Sequence, residues 1–288
     1  MSALLPARTN SSRAMLLGLL VPGLLALGLT FFAPLVWLLR ASFAPSAFDA
    51  LDLRNWTPAA YGALLDPFYW RIAVNTAVLG LSVAVSCVVL SYPLALFLSR
   101  TTSRWRGVLT ALAVAPLLTS TVVRTYGWMV ILGDQGLVNN ALAALHLIGQ
   151  PLPISNNSFG ATVALVEILM PYAILAMLAG FGRLNRQFEE AAAMLGANRW
   201  RVFWRIIVPL SLPGVLTAAL LEFVLAISSF VTPALLGGGR VFVLGTEVYD
   251  EATVNLNWPL AAALSVVLLV LFGGIILLYQ RALHALES

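Results

Sequence analysis

Residues 183–213 read RLNRQFEEAAAMLGANRWRVFWRIIVPLSLP. Arg186–Leu195 is built from good helix formers, and Asn185 stands where a side-chain cap is favoured. Gly196 follows as the residue after a helix end, where a left-handed backbone is cheap for glycine. Asn198 can cap a second helix running to about Val208, which Pro209 is expected to end. The pattern predicts a helix–glycine–helix hairpin with a small-sided patch at Ala191-Ala192-Ala193. Glu189, Glu190 and the arginines around them can make charge-assisted contacts. Two uses fit such a hairpin. It docks another protein, or it lies on lipid headgroups through Arg199, Arg201, Arg205, Trp200 and Trp204.

The chain on either side of this hairpin is apolar. Of 288 residues, 60% are hydrophobic and 10% charged, against about 25% charged in soluble domains. Long apolar runs with charge gathered between them mark a membrane protein and exclude disorder. A bilayer core of about 30 Å needs about 20 helical residues. Six stretches qualify: Met15–Leu39, Ile72–Leu98, Val108–Leu132, Phe159–Phe181, Gly214–Leu236 and Pro259–Leu278. The first exceeds a signal-peptide core of about 7–15 residues and is read as a retained span. Arg124 interrupts the third, so that helix is expected to end near Val123. Tyr126–Leu132 would then lie in the outer interface or re-enter the membrane.

Arginine placement sets the orientation. With the N-terminus inside, Arg8, Arg13, Arg100, Arg104, Arg106, Arg183, Arg186, Arg199, Arg201, Arg205 and Arg281 are cytoplasmic. Arg40, Arg54, Arg71 and Arg240 fall on the outer face or its border. Eleven against four predicts that both termini are cytoplasmic. The outer segments carry acids instead: Asp49, Asp52, Asp66, Asp134, Glu247, Asp250 and Glu251.

Several chemistries are excluded. All 16 Lys+Arg residues are arginine, so the lysine of a phosphate-cradling Walker loop is missing and the chain has no such ATP site. Cys87 stands alone, and His146 and His284 are isolated, which leaves no metal cluster and no catalytic triad. No catalytic residue and no cofactor of the chain's own is expected. The pI near 9.6 does not mark a nucleic-acid partner, because the arginines flank membrane spans. Lipid is the surrounding partner. Any energy source must come from another polypeptide.

Glu190-Ala191-Ala192, three residues, Gly196, nine residues and Ile206-Ile207-Val208-Pro209 resemble the EAA motif of ABC importer permeases, with Val208 the one mild departure. Arg124–Gly133, Phe230–Gly238 and Asn257–Leu264 resemble the spermidine/putrescine-type subfamily. The resemblance implies an all-α membrane protein of six transmembrane helices in the type I importer permease fold. Residues 1–288 form a single permease domain, with 1–41 a peripheral first helix, 70–280 the core helices and 183–213 a cytoplasmic coupling loop. It implies that Glu190, Ala191, Ala192 and Gly196 couple to an ATPase. It also implies the partners: a second, different permease, two copies of a cytoplasmic ATPase that binds ATP and Mg, and an extracytoplasmic substrate-binding protein. The setting is the bacterial inner membrane, crossed several times.

Two acids lie within spans. Glu167 and Glu222 each stand about eight residues into their stretches, about 12 Å deep. An unpaired carboxylate at that depth costs several kcal/mol and is a pathway hypothesis by default. Glu222, Ala226, Ser229 and Pro233 share a helical face of small and polar residues, which favours Glu222 as the acid facing a substrate. Glu167 shares a face with Val163 and Pro171, whose kink can open carbonyls there. The opposed reading is a lock between helices, with either acid paired to Arg124, the structural in-membrane charge, or to the second permease. The substrate expected from the resemblance is a polyamine. Ser229 and Asn257 stand where polyamine members often carry Asp, which keeps zwitterions such as 4-aminobutyrate or an opine open. A secondary transporter using Glu167 and Glu222 is the more distant alternative.

Expressed alone, the chain should release no phosphate from ATP. Co-expressed with its ATPase and second permease, it should purify as a stoichiometric complex; stable, transport-active homodimers would contradict this.

Overall fold

The computed structural model describes residues 10–46 and 55–287. Arg8, Asp49, Asp52 and Arg54 lie outside the described residues. The helices are α1 (Asn10–Ala41), α2 (Ala59–Ala63), α3 (Pro67–Arg100), α4 (Arg106–Val114), α5 (Thr121–Leu132), α6 (Leu137–Ala144) and α7 (Ser158–Gly180). They continue as α8 (Arg186–Met194), α9 (Arg199–Val202), α10 (Val208–Ser228), α11 (Val231–Leu236), α12 (Leu244–Thr253) and α13 (Trp258–Glu287). No strand occurs among the described residues.

Local chemistry explains where the long helices start. Asp66 accepts a hydrogen bond from the Phe68 amide at 2.8 Å, and Pro67 takes the first position of α3, where its missing N–H costs nothing. Asn157 caps α7 by accepting from the Gly160 amide at 2.9 Å. Asn257 does the same for α13, its side chain accepting from the Leu260 amide.

Three helices, α3, α7 and α10, pack mutually and form the centre. Leu79, Val83 and Cys87 of α3, Leu165, Leu169 and Ala173 of α7, and Ala226 of α10 are buried in one cluster. Lipid tails are as apolar as leucine, so helices in a membrane associate through close packing rather than through the hydrophobic effect. The crossing of α7 and α10 shows this. A β-carbon added to Gly180 would stand 2.3 Å from the Gly214 α-carbon. The backbones touch there only because both residues are glycine. Outside this core, α13 carries α12 and α1, while Leu24, Leu25, Leu27 and Leu29 along α1 are exposed.

Among the described residues, five helical stretches are long and apolar enough to cross a membrane: Leu20–Ala41, Pro67–Arg100, Ser158–Gly180, Arg199–Ser228 and Trp258–Arg281. A sixth is a broken pair, Arg106–Leu118 and Thr121–Ala144, bent by 92°. Two expectations are corrected here. The third span does not end near Val123. It breaks earlier, at Thr119 and Ser120, which are extended, just after a 3₁₀ turn containing Pro116. Arg124 sits within α5 and does not end it, because its guanidinium is bonded inside the protein.

The fifth span is also displaced. Pro209 does not stop the helix. Phe203–Ile207 form a π-helical turn in which the Val208 amide reaches back to the Phe203 carbonyl, and the helix runs on through Pro209. The span therefore covers Arg199–Ser228, and the expected stretch Gly214–Leu236 is interrupted at Ser229 and Phe230. The two broken spans meet each other. α5 packs on α11, and the Thr125 and Thr232 hydroxyls share a buried hydrogen bond of 3.0 Å.

Gly180→Ala should force α7 and α10 apart and destabilise the protein by about 1–3 kcal/mol, the usual range for overpacking. Gly182→Ala, where an added carbon meets nothing within 4 Å, is the control. Thermal unfolding in detergent checks the pair; equal stability of both variants would refute the contact.

Candidate functional site

The hairpin is capped at every turn. Asn185 accepts from the Gln187 amide at 3.0 Å and starts α8. α8 ends in a pair of reverse bonds, Gly196 N–H to the Ala193 carbonyl and Ala197 N–H to the Ala192 carbonyl, each 3.0 Å. That closure requires a left-handed residue, and Gly196 has φ +81°. A β-carbon there would meet nothing within 4 Å, so the constraint is purely conformational. Asn198 then accepts from the Arg201 amide at 2.8 Å and starts α9.

Two ties fasten the hairpin to the core. One is covalent: α9, the π-turn and α10 are one continuous helix. The other is an ion pair between Arg100, in the last turn of α3, and Glu189 of α8. Glu190 and Ala191 are exposed and Ala192 half-buried. Ala191, Ala192 and Leu195 line a groove of about 450 Å³ against Arg205, Ile206 and Pro209. Met194 and Leu195 are 90% and 89% exposed at the tip, far more than apolar side chains in a finished interface. Trp200 stacks on Phe203 and meets Trp204 edge-on, and both tryptophans remain exposed.

The acids within the spans occupy opposite environments. Glu222 is completely buried. Neither carboxyl oxygen has a hydrogen-bond partner. The Cys87 thiol and the Ala173 backbone lie beside it without hydrogen-bonding geometry, and the Cys87 thiol is turned to the Val166 carbonyl at 3.5 Å. Glu222 thus faces the α3–α7–α10 centre and presents no surface to a passage. Ala226 and Pro233 are buried with it, while Ser229 terminates α10 in an extended conformation and is half-buried.

Glu167 is paired. Arg124 Nη2 lies 2.5 Å from one carboxylate oxygen, and Trp128 Nε1 donates to the other at 3.0 Å. The guanidinium also donates to three carbonyls: Glu167 at 2.8 Å, Pro116 at 3.3 Å and Ile168 at 3.4 Å. The reason lies in α7. Pro171 has no N–H, which frees the carbonyl four residues earlier, that of Glu167. Arg124 supplies the missing donor. The Trp128 contact does not follow from placing Tyr126–Leu132 in the outer interface or a re-entrant segment. Its signal was the spacing of four from Arg124, one turn along a helix.

On the opposite end, α12 carries Glu247, Asp250 and Glu251. Burial, then the charges of Glu251 and Asp250, push the Glu247 carboxyl above the usual carboxylate range. Glu251 is buried and accepts from Asn255 Nδ2 at 2.9 Å. Asn257 is a helix cap, a role Asp would fill as well. Among the described residues, no three His, Cys, Asp or Glu side chains converge so as to hold a metal ion.

The fold and site define a multi-span helical membrane protein that presents a capped, exposed hairpin at one end of its core. The chain belongs to the family described as binding-protein-dependent transport system inner membrane component, whose model matches residues 88–285. It is 32% identical to the spermidine/putrescine transport system permease protein PotB of Haemophilus influenzae, over 91% of this chain and 88% of that protein. Its identity to PotB of Escherichia coli is 31%, over 89% and 94%. Among solved structures, it is similar to a bacterial ABC transporter involved in the import of the acidic polysaccharide alginate, at TM-score 0.73 and 17% identity, covering 96% and 98%. The MetNI methionine ABC transporter matches at TM-score 0.58 and 16% identity, covering 77% and 98%. The protein is therefore a multi-pass permease of the bacterial inner membrane.

Glu222→Met should keep complex yield and thermal stability at or above the native level. It replaces an unpartnered buried carboxyl with an apolar side chain of similar length. A loss of yield would reveal a cationic partner that reaches Glu222.

Proposed function

We propose that this chain is one of two different permeases in an ATP-driven, binding-protein-dependent importer of polyamines such as spermidine or putrescine. The observation that carries the reading is the 32% identity to a spermidine/putrescine permease across 91% of the chain. The hairpin supports the mechanism. An external binding protein delivers cargo to the pair of permeases. Two copies of a separate ATPase bind ATP and Mg and close on the bound nucleotide, and hydrolysis lets them reopen. The small patch at Ala191 and Ala192, with Glu190 beside it, seats in that ATPase, and Gly196 sets the angle at which it does so. Motion then passes along the continuous helix Arg199–Ser228 into the core. Both termini and the hairpin lie in the cytoplasm, consistent with the arginine excess of those segments.

Vesicles holding the complete importer should accumulate labelled spermidine or putrescine only with ATP and the binding protein. Accumulation of 4-aminobutyrate instead would overturn the substrate class. The coupling role has its own check. Gly196→Val should weaken ATPase association and stimulated hydrolysis more than Gly196→Ala, because a β-branched residue tolerates φ +81° least. The left-handed penalty is roughly 1–2 kcal/mol even before branching. Receptor binding should be untouched, and full coupling in Gly196→Val would refute the docking role.

A further inference from the structure

The pairing of Arg124 with Glu167 is lopsided. The Glu167 side chain is 40% exposed and the Arg124 side chain only 10%. Arg124 keeps three carbonyl acceptors if the carboxylate leaves it. Glu167 would then keep only the Trp128 indole N–H. The arginine is held by the fold, and the carboxylate is free to turn.

Glu167 is the tenth residue of the 23-residue α7, near the middle of a span. A half-exposed carboxylate at that depth does not face acyl chains, because lipid offers it no partner. It opens toward water or protein. At the helix break that leads to Arg124, the polar Thr119, Ser120 and Thr121 are exposed between Leu118 and Val122, which are exposed too. Glu222, by contrast, is sealed in the core.

We infer that Glu167 is a cargo-contact site that exchanges Arg124 for an ammonium group of the transported amine. This rests on the amine-importer reading above. Without cargo, the guanidinium occupies the carboxylate, so the passage shows no bare negative charge to small inorganic cations. When an amine arrives, one ion pair replaces another, and no carboxylate is left unpaired during the exchange. The indole beside the carboxylate is the aromatic that best accommodates an organic cation. Release of Arg124 also loosens the contact between the bent pair and α7, which links cargo entry to movement of that segment.

The test uses the complete importer, with uptake of labelled putrescine and spermidine expressed per assembled complex. Glu167→Gln should lower uptake at least about tenfold, the size of a lost charge-assisted contact, at native complex yield. Arg124→Gln removes the competing cation and should lower the putrescine concentration needed for half-maximal uptake, with uptake per complex above that of Glu167→Gln. If that variant assembles poorly, Arg124→Lys is measured, and its uptake per complex should again exceed that of Glu167→Gln. Equal losses at the two positions, losses that follow complex yield, or native uptake in Glu167→Gln would each overturn the exchange. If wild type carries 4-aminobutyrate and neither polyamine, the polyamine reading falls and the same variants, measured with 4-aminobutyrate, decide the exchange. Wild-type uptake of no amine overturns both.

Discussion

Inside a bilayer no water is at hand, so each polar group must find its partner within the protein. One guanidinium meets that demand for two elements at once. Arg124 takes the Pro116 carbonyl of the 3₁₀ turn, the Glu167 and Ile168 carbonyls of α7, and the Glu167 carboxylate. The 92° bend of the third span leaves backbone groups that an unbroken helix would satisfy itself. Pro171 leaves another in α7. The arginine fills part of both deficits, and the next residue, Thr125, fastens the segment to α11 through Thr232. Two adjacent side chains thereby join the bent pair to α7 and to the segment beyond α10.

The same economy links the hairpin to the membrane core. A proline in a long helix ordinarily kinks or ends it, through its missing N–H and the crowding of the carbonyl four residues back. Here Pro209 falls just after a π-helical turn over Phe203–Ile207, and the turn absorbs the conflict by shifting the hydrogen bonds to a longer register. The hairpin is therefore not a loop hung between spans. It is the protruding end of one 30-residue helix, with α8 folded back across Gly196. Arg100 and Glu189 add a second attachment, to α3. A push on α8 is shared between two of the three central helices.

Much of this was legible in the residues. The caps at Asn185 and Asn198 and the left-handed Gly196 follow from short-range chemistry, and each is where the hairpin pattern placed it. Four spans, those of α1, α3, α7 and α13, also follow from apolar length alone. What was not legible depended on tertiary partners. A lone arginine in lipid is costly, which predicts a helix end near Arg124; four acceptors on the 3₁₀ turn and α7 remove that cost. Pro209 predicts the end of the second hairpin helix, because a π-turn carries no composition signal. The fifth span looked continuous to Leu236 because Ser229 and Phe230 are not breakers by type; only the packing of α11 on α5 turns the chain there.

The two acids show most clearly what spacing cannot decide. Glu167 and Glu222 stand at similar distances into their apolar runs, and the neighbours of Glu222 along its own helix are smaller and more polar. By helix face alone, Glu222 is the better wall of a passage. In the folded chain that same small face is what lets α3 and α7 approach, with Cys87 and Ala173 closing over the carboxyl. Small residues beside an acid signal close packing as readily as an open route, because both need the absence of bulk. Glu167 has bulkier neighbours, yet its side chain keeps an exposed edge while Val166 and Ile168 on either side of it are buried. The discriminating feature is instead the proline four residues on. Pro171 frees a carbonyl, the carbonyl recruits Arg124, and the arginine stays within reach of the carboxylate without depending on it. A charge that is paired yet half-exposed can trade partners, whereas a buried and unpartnered one can only be sealed in.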